Sequence, residues 1–113
     1  MNKIVCFGEV LWDIFPNNKI IGGAPFNVAY RLNSLGMEAS IISSIGNDSS
    51  GELLIKEIEK NQINTSLIQK HPSLKTGEVK ISIDEKGSAN YKILSPVAWD
   101  EISTTKLGFN KVK

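Results

Sequence analysis

An α/β fold built on a mainly parallel sheet is predicted by two features of this sequence, and a third marks where a ligand would be met. Apolar segments of strand length alternate with helical patterns as far as residue 61, and strand, helix, strand, helix is the order of a parallel sheet covered by helices. The period then switches to strict alternation over 79–94, as in an antiparallel hairpin with one apolar face. Ahead of the first helix stands Gly22-Gly23-Ala24-Pro25-Phe26-Asn27-Val28-Ala29. Paired glycines let backbone approach a ligand closely, and they adopt dihedrals closed to other residues.

Residues 3–7 are rich in β-formers and predict a central strand buried on both faces. Residues 10–21 read as two extended pieces around a Pro16-Asn17 turn. A helix is predicted over 25–35, with Pro25 in its first turn, Val28, Ala29, Leu32 and Leu35 at helical spacing, and Gly36 as its stop. Ala39 to Ile45 is a second buried strand. Asp48 or Ser49 caps a helix over about 50–61, with Leu54, Ile55 and Ile58 inward and lysines and glutamates in water. In the hairpin, Val79, Ile81 and Ile83 on one strand share an apolar face with Ala89, Tyr91 and Ile93 on the other. A two-stranded ribbon is barely stable alone, so that face should cover something, either the chain's own core or a ligand cleft. From Asp100 a helix-like start runs into a polar trail ending at Lys113.

Taken alone, the glycine turn serves equally as a loop-to-helix junction or as a cradle for a small hydroxylated ligand. Its surroundings carry a resemblance. Gly22-Gly23-x-Pro25-x-Asn27-x-Ala29, followed by Gly36 and Gly46, resembles the first signature of the ribokinase-like (PfkB) carbohydrate kinases. Gly46-Asn47-Asp48-Ser49-Ser50-Gly51 is similar to the family's Gly-x-Asp-x-x-Gly segment, and Thr76-Gly77-Glu78-Val79 to its lid strand. Gly8-Glu9-Val10-Leu11-Trp12-Asp13 resembles its opening strand and sugar-binding aspartate. Pro96-Val97-Ala98-Trp99-Asp100 is similar to a segment of its bacterial fructokinase branch.

The resemblance implies a three-layer ribokinase-like sandwich with a β-strand lid, its strands inserted at about 10–21 and 75–94. It implies transfer of the γ-phosphoryl of ATP, with Mg2+, to a primary hydroxyl of a small sugar, fructose first. Ribose, a nucleoside or a sugar acid is the alternative inside the family, and a non-catalytic sugar-binding or oligomerising fragment the alternative outside it. Sugar contacts are implied for Asp13, Gly22, Gly23 and Asn27: a carboxylate accepts from paired hydroxyls, and an amide both gives and accepts. Phe26 stands where many relatives carry a small residue. It packs against the lid or a neighbouring helix, or else stacks on the apolar face of a sugar. Asp48 reads as a helix cap, Trp12 and Trp99 as packing residues, and His71 as a poor candidate for a metal, with no second ligand near it in sequence.

Neither a Gly-x-x-x-x-Gly-Lys-Ser/Thr loop nor a Gly-x-Gly-x-x-Gly turn occurs. The Asp-x-x-Gly-Ala-Gly-Asp-like segment on which the family places ATP, the anion hole and the catalytic base is likewise missing from these 113 residues. Relatives are roughly three times as long, the size of one large α/β domain. Residues 1–113 are therefore expected to be the N-terminal part of a sugar kinase domain, as a truncation or an incomplete gene product, without the ATP-binding part and without a catalytic residue.

Composition sets wider bounds. Hydrophobic residues make up 41%, enough for a packed core. A net charge of +1 with dispersed lysines gives no nucleic-acid footprint, and no apolar run is long enough to span a membrane. The N-terminus reads as a strand and not a signal peptide. Cys6, the only cysteine, reads as an inert thiol of a cytoplasmic protein. The expected partners are a small sugar and ATP, with a second copy of the chain packed on the lid.

Overall fold

The computed structural model describes residues 3–103. Its elements are β1 (Lys3–Phe7), β2 (Leu11–Ile14), β3 (Lys19–Gly22), α1 (Ala24–Ser34), β4 (Glu38–Gly46), α2 (Ser49–Lys60), β5 (Ile68–His71), β6 (Gly77–Ile83), β7 (Ala89–Ile93) and a 3-10 turn (Ala98–Asp100). Two sheets form. In the body, β1, β4 and β5 lie side by side in that order, all parallel, with Phe7 opposite Ile42 and Gly46 opposite His71. The second sheet runs β3-β2-β6-β7; β2 and β6 are parallel and the other two pairs antiparallel.

Strand register explains the core. Ala39, Ile41 and Ile45 alternate onto one face of β4 and meet Phe26 and Ala29 of α1 and Leu54 and Ile58 of α2. Both helices lie on this face, because successive right-handed crossovers progress in one direction across the sheet. Cys6 and Ile68 pack partly against the cluster from the neighbouring strands.

Strand β1 departs from expectation. Among the described residues it pairs with β4 alone, and its burial alternates: Val5 is 36% and Phe7 62% exposed. Among the described residues the helices cover only the Cys6 face. The opposite face is met near the end of β4 by Val97 and Ala98, both buried.

Helix ends follow their local chemistry. Helix α1 closes in a Schellman motif: Gly36 adopts φ +87°, its N–H donates to the Asn33 carbonyl, and the Met37 N–H donates to that of Leu32. Its buried face is Pro25, Phe26 and Ala29, while Val28 and Leu35, part of the apolar spacing, are exposed. Helix α2 is capped by Asp48, whose carboxylate accepts from the Gly51 N–H at 2.8 Å.

The hairpin forms with its six apolar residues on one face, Val79 opposite Ile93, Ile81 opposite Tyr91 and Ile83 opposite Ala89. Its apolar face is not core: Ile83, Tyr91 and Ile93 are each about two-thirds exposed. Instead of a helix from Asp100, the chain makes the 3-10 turn and then an irregular run to Ser103. The polar trail beyond lies outside the described residues.

Candidate functional site: a cleft on the second sheet

A cleft of about 500 Å³ lies where Glu9, strand β2, the Gly23 turn, strand β6 and residues 93–99 converge. Asp13, Glu9, Leu11, Gly23, Val79 and Trp99 are among its walls.

Asp13 projects from β2, paired with Ile20 on one side and Val79 on the other. It is half-buried, and that burial pushes its carboxyl above the usual carboxylate range. Gly22, on the neighbouring strand, is what makes room for it. A Cβ built there would collide with the Asp13 carboxylate oxygen Oδ2 and lie 3.1 Å from Leu11 Cδ1. Gly23 is needed for a different reason: it adopts φ +104° as the N-cap of α1, and a Cβ there would stand 2.5 Å from the Glu9 carbonyl oxygen. No side chain caps this helix, so its first N–H groups are left free of a side-chain acceptor at the cleft's edge.

Three of the expected contact residues do not line the cleft: Gly22 is buried beneath the Asp13 carboxylate, and the other two sit elsewhere. Asn27 is exposed on the first turn of α1, its N–H donating to the Gly23 carbonyl, and it does not line the cleft. Phe26 is only 6% exposed and belongs to the core, its ring stacked on Tyr30 with centroids 6.1 Å apart. The alternative of an aromatic stack on a sugar is therefore corrected to packing, since the turn of α1 that buries Pro25 and Ala29 also carries Phe26 inward.

Glu9, Leu11, Val79 and Trp99 are cleft residues that pattern alone does not single out. Trp99 packs, as expected, but its packing partner is Gly77 and it also walls the cleft. Trp12, one residue from Asp13 and therefore on the opposite face of β2, is buried. Its indole N–H donates to the Ser50 carbonyl at 3.0 Å, and the Lys19 ammonium lies 4.5 Å from its ring centroid.

Beneath the cleft, Asp48 ties α2 to the root of β6. Its Oδ1 accepts from the Thr76 hydroxyl at 2.7 Å as well as from the Gly51 N–H, and its Oδ2 accepts from the Thr76 N–H at 3.1 Å. The Thr76 hydroxyl in turn accepts from the Gly46 N–H at 2.9 Å. Burial raises the Asp48 pKa, but these hydrogen bonds and the Lys75 charge outweigh it and hold the carboxyl below its ordinary range.

Both ring nitrogens of His71 are engaged within the fold. Nδ1 accepts from the Ser73 and Leu74 N–H groups, which makes Nε2 the protonated nitrogen, and Nε2 faces Glu101 Oε1 at 3.0 Å. Cys6 is half-buried, and burial pushes its thiol up, away from a reactive thiolate. Among the described residues no helix is long and apolar enough to cross a membrane.

The comparisons with known proteins agree with this architecture. An uncharacterized sugar kinase of Pyrococcus horikoshii is 34% identical over 92 residues, spanning 81% of this chain and 29% of the relative. Its crystal structure superposes with a TM-score of 0.85 at 30% identity, over 96% of this chain and 40% of that one. The chloroplastic fructokinase-6 of Arabidopsis thaliana is 27% identical over 123 residues, covering 97% of this chain and 32% of its own. The fructokinase of Vibrio cholerae O395 superposes with a TM-score of 0.81 at 25% identity, over 88% and 36% of the two chains. The chain thus spans about a third of the length of the relatives it matches. The sequence profile of the pfkB family carbohydrate kinases matches residues 1–98, and this chain belongs to that family.

Proposed function

We propose that residues 1–113 supply the sugar-binding side of an ATP-dependent kinase acting on a small sugar, with fructose the first candidate. The observation that carries this reading is the Asp13 carboxylate laid over side-chain-free Gly22 in the wall of the cleft. An ionised carboxylate held in partly desolvated surroundings gains most from a ligand that brings hydroxyl donors to it. The fructokinases among the relatives favour fructose, and so does the Pro96–Asp100 segment.

In this reading Asp13 accepts hydrogen bonds from two neighbouring hydroxyls, Gly22 makes room for its carboxylate, and the backbone at Gly23 lets the sugar approach closely. The site then discriminates by hydroxyl pattern, because an analogue lacking one leaves a buried polar group unpaired. ATP supplies the phosphoryl group, and the Pyrococcus sugar kinase has been solved in complex with ATP. The residues present offer no cradle for it: the sequence contains no phosphate loop and no Asp-x-x-Gly-Ala-Gly-Asp-like segment. ATP, Mg2+ and the catalytic base are therefore assigned to a part of the enzyme beyond these residues. The exposed apolar face of the hairpin is assigned to a second copy of the chain, and the cytoplasm to the enzyme as a whole.

Titration calorimetry with D-fructose, D-ribose and D-glucose, beside a coupled ADP-release assay, tests the reading. The chain is expected to bind sugar without turnover, and Asp13→Asn to weaken binding by about 1.5–3 kcal/mol, the scale of hydrogen bonds to a charged group. Binding should also weaken as pH falls through the raised Asp13 pKa. Sugar bound equally well by the Asp13→Asn variant would leave Asp13 a structural residue, and turnover by the purified chain would contradict the assignment of the transfer machinery.

A further inference from the structure

We propose that Trp99 is a specificity-determining residue of this cleft: its indole is the apolar wall against which a ring sugar lies, so that the site favours cyclic sugars over open-chain polyols. The inference rests on the cleft being a sugar site and names how that site would choose its substrate.

The run from Ser95 to Glu101 belongs to neither sheet, yet it is held closely in place. The Ala98 N–H donates to the Lys75 carbonyl at 2.7 Å, and the Val97 N–H donates to Asp100 Oδ2 at 2.8 Å. Val97 and Ala98 are buried beside β4. Trp99 is left half-buried between these anchors, and it lines the cleft.

Its place along the cleft follows from strand register. The indole lies on Gly77, where a Cβ would come within 2.9 Å of its Cδ1 and 3.3 Å of its Nε1. Gly77 pairs with Leu11, and two residues further along the same strands Val79 pairs with Asp13. Residues two apart share a face and are separated by about 7 Å. The Asp13 carboxylate, however, reaches over Gly22, which flanks Leu11 on its other side, so carboxylate and indole face each other across the Leu11 side chain on one sheet face, two strand spacings or about 10 Å apart, and a sugar ring lying over Leu11 meets both. Asp13 meets hydroxyls at the edge of such a ring, and the π face of Trp99 meets its C–H groups. An open-chain polyol has the hydroxyls but no flat C–H face to offer.

The test is calorimetric titration of the chain with D-fructose and with D-mannitol, repeated on Trp99→Ala, Trp99→Phe and Asp13→Asn, each checked by a thermal melt. Trp99→Ala is expected to lose about tenfold in fructose affinity, as for removal of one aromatic contact, and to change mannitol affinity less than about twofold. Trp99→Phe should recover most of the loss, while Asp13→Asn weakens both ligands alike. Should Trp99→Ala not melt cooperatively, Trp99→Leu carries the same comparison. Fructose and mannitol weakened in equal measure, or fructose affinity unchanged, would overturn the role of Trp99 and leave the sugar site standing. An unmodified chain that binds neither ligand would overturn the sugar site, and the role of Trp99 with it.

Discussion

Replacing Gly23 by alanine should be among the most damaging single-methyl changes in this chain, and the structure says why. At φ +104° an L residue occupies a sparsely populated region, which costs about 1–3 kcal/mol. The added methyl would also stand 2.5 Å from the Glu9 carbonyl oxygen and 3.3 Å from Val10 Cα. These are backbone atoms, and Val10 is fully buried, so neither can swing aside as a side chain would. Forcing them apart adds about 1–3 kcal/mol, the range for overpacking a close-packed interior. Together the two effects come to about 2–6 kcal/mol, against a stability of about 5–15 kcal/mol for an ordinary domain. Gly36 is the internal control. It has φ +87° but nothing within 4 Å of its would-be Cβ, so Gly36→Ala should cost only the conformational part, about 1–2 kcal/mol. Urea unfolding of both variants measures the difference. A Gly23→Ala loss no larger than that of Gly36→Ala would refute the close approach between the start of α1 and the Glu9–Val10 backbone.

Gly22→Ala should behave differently, because its methyl meets a movable carboxylate and its φ is not positive. The fold should shift by less than about 1 kcal/mol while sugar affinity falls about tenfold as Asp13 turns away, and intact affinity by calorimetry would sink the placing of Asp13. Asp48→Ala should cost about 1–2 kcal/mol at neutral pH through loss of the α2 cap. Since the native Asp48 pKa is depressed, its contribution is fully present above its unfolded value near 4 and is lost as pH falls through the lower native value. The gap between wild type and variant in urea melts should therefore close toward acid, and a constant gap would contradict the carboxylate's role. Replacing Ile81 and Tyr91 by serine should loosen self-association in sedimentation velocity while leaving the melt nearly unchanged. A collapsed melting temperature with unaltered association would make the hairpin face core after all.

Helices α1 and α2, the parallel strand β4 and the hairpin were legible because local chemistry specifies them: Gly36 as a C-terminal stop, Asp48 as a cap, period two in the hairpin. Other readings depended on distant residues. Strand β1 carries the composition of a buried strand, but burial depends on what stands beside it, and among the described residues only β4 does, so Val5 and Phe7 open outward. Phe26 lies within the signature turn, yet the direction in which a helix residue points is set by how α1 packs on β4, which no eight-residue motif encodes. The partners of Asp48 at Thr76 lie 28 residues away, so the sequence shows the cap and hides the tie to the root of β6.

The cleft itself is best understood through three glycines that pattern reading treats separately. Gly22 admits the Asp13 carboxylate, Gly23 admits the Glu9 carbonyl and Gly77 admits the Trp99 indole, each at a distance that a methyl group would forbid. Only the first two sit in the recognisable turn, whereas the third becomes a site residue once β6 is seen pairing with β2 and the 97–100 turn folds back over it. A shared logic joins them: where a side chain is absent, a neighbour closes in, and in this chain the neighbours that close in at Gly22 and Gly77 are a carboxylate and an aromatic ring facing one cleft. Loss of either glycine should therefore disturb ligand recognition before it disturbs the fold, and loss of Gly23 the reverse.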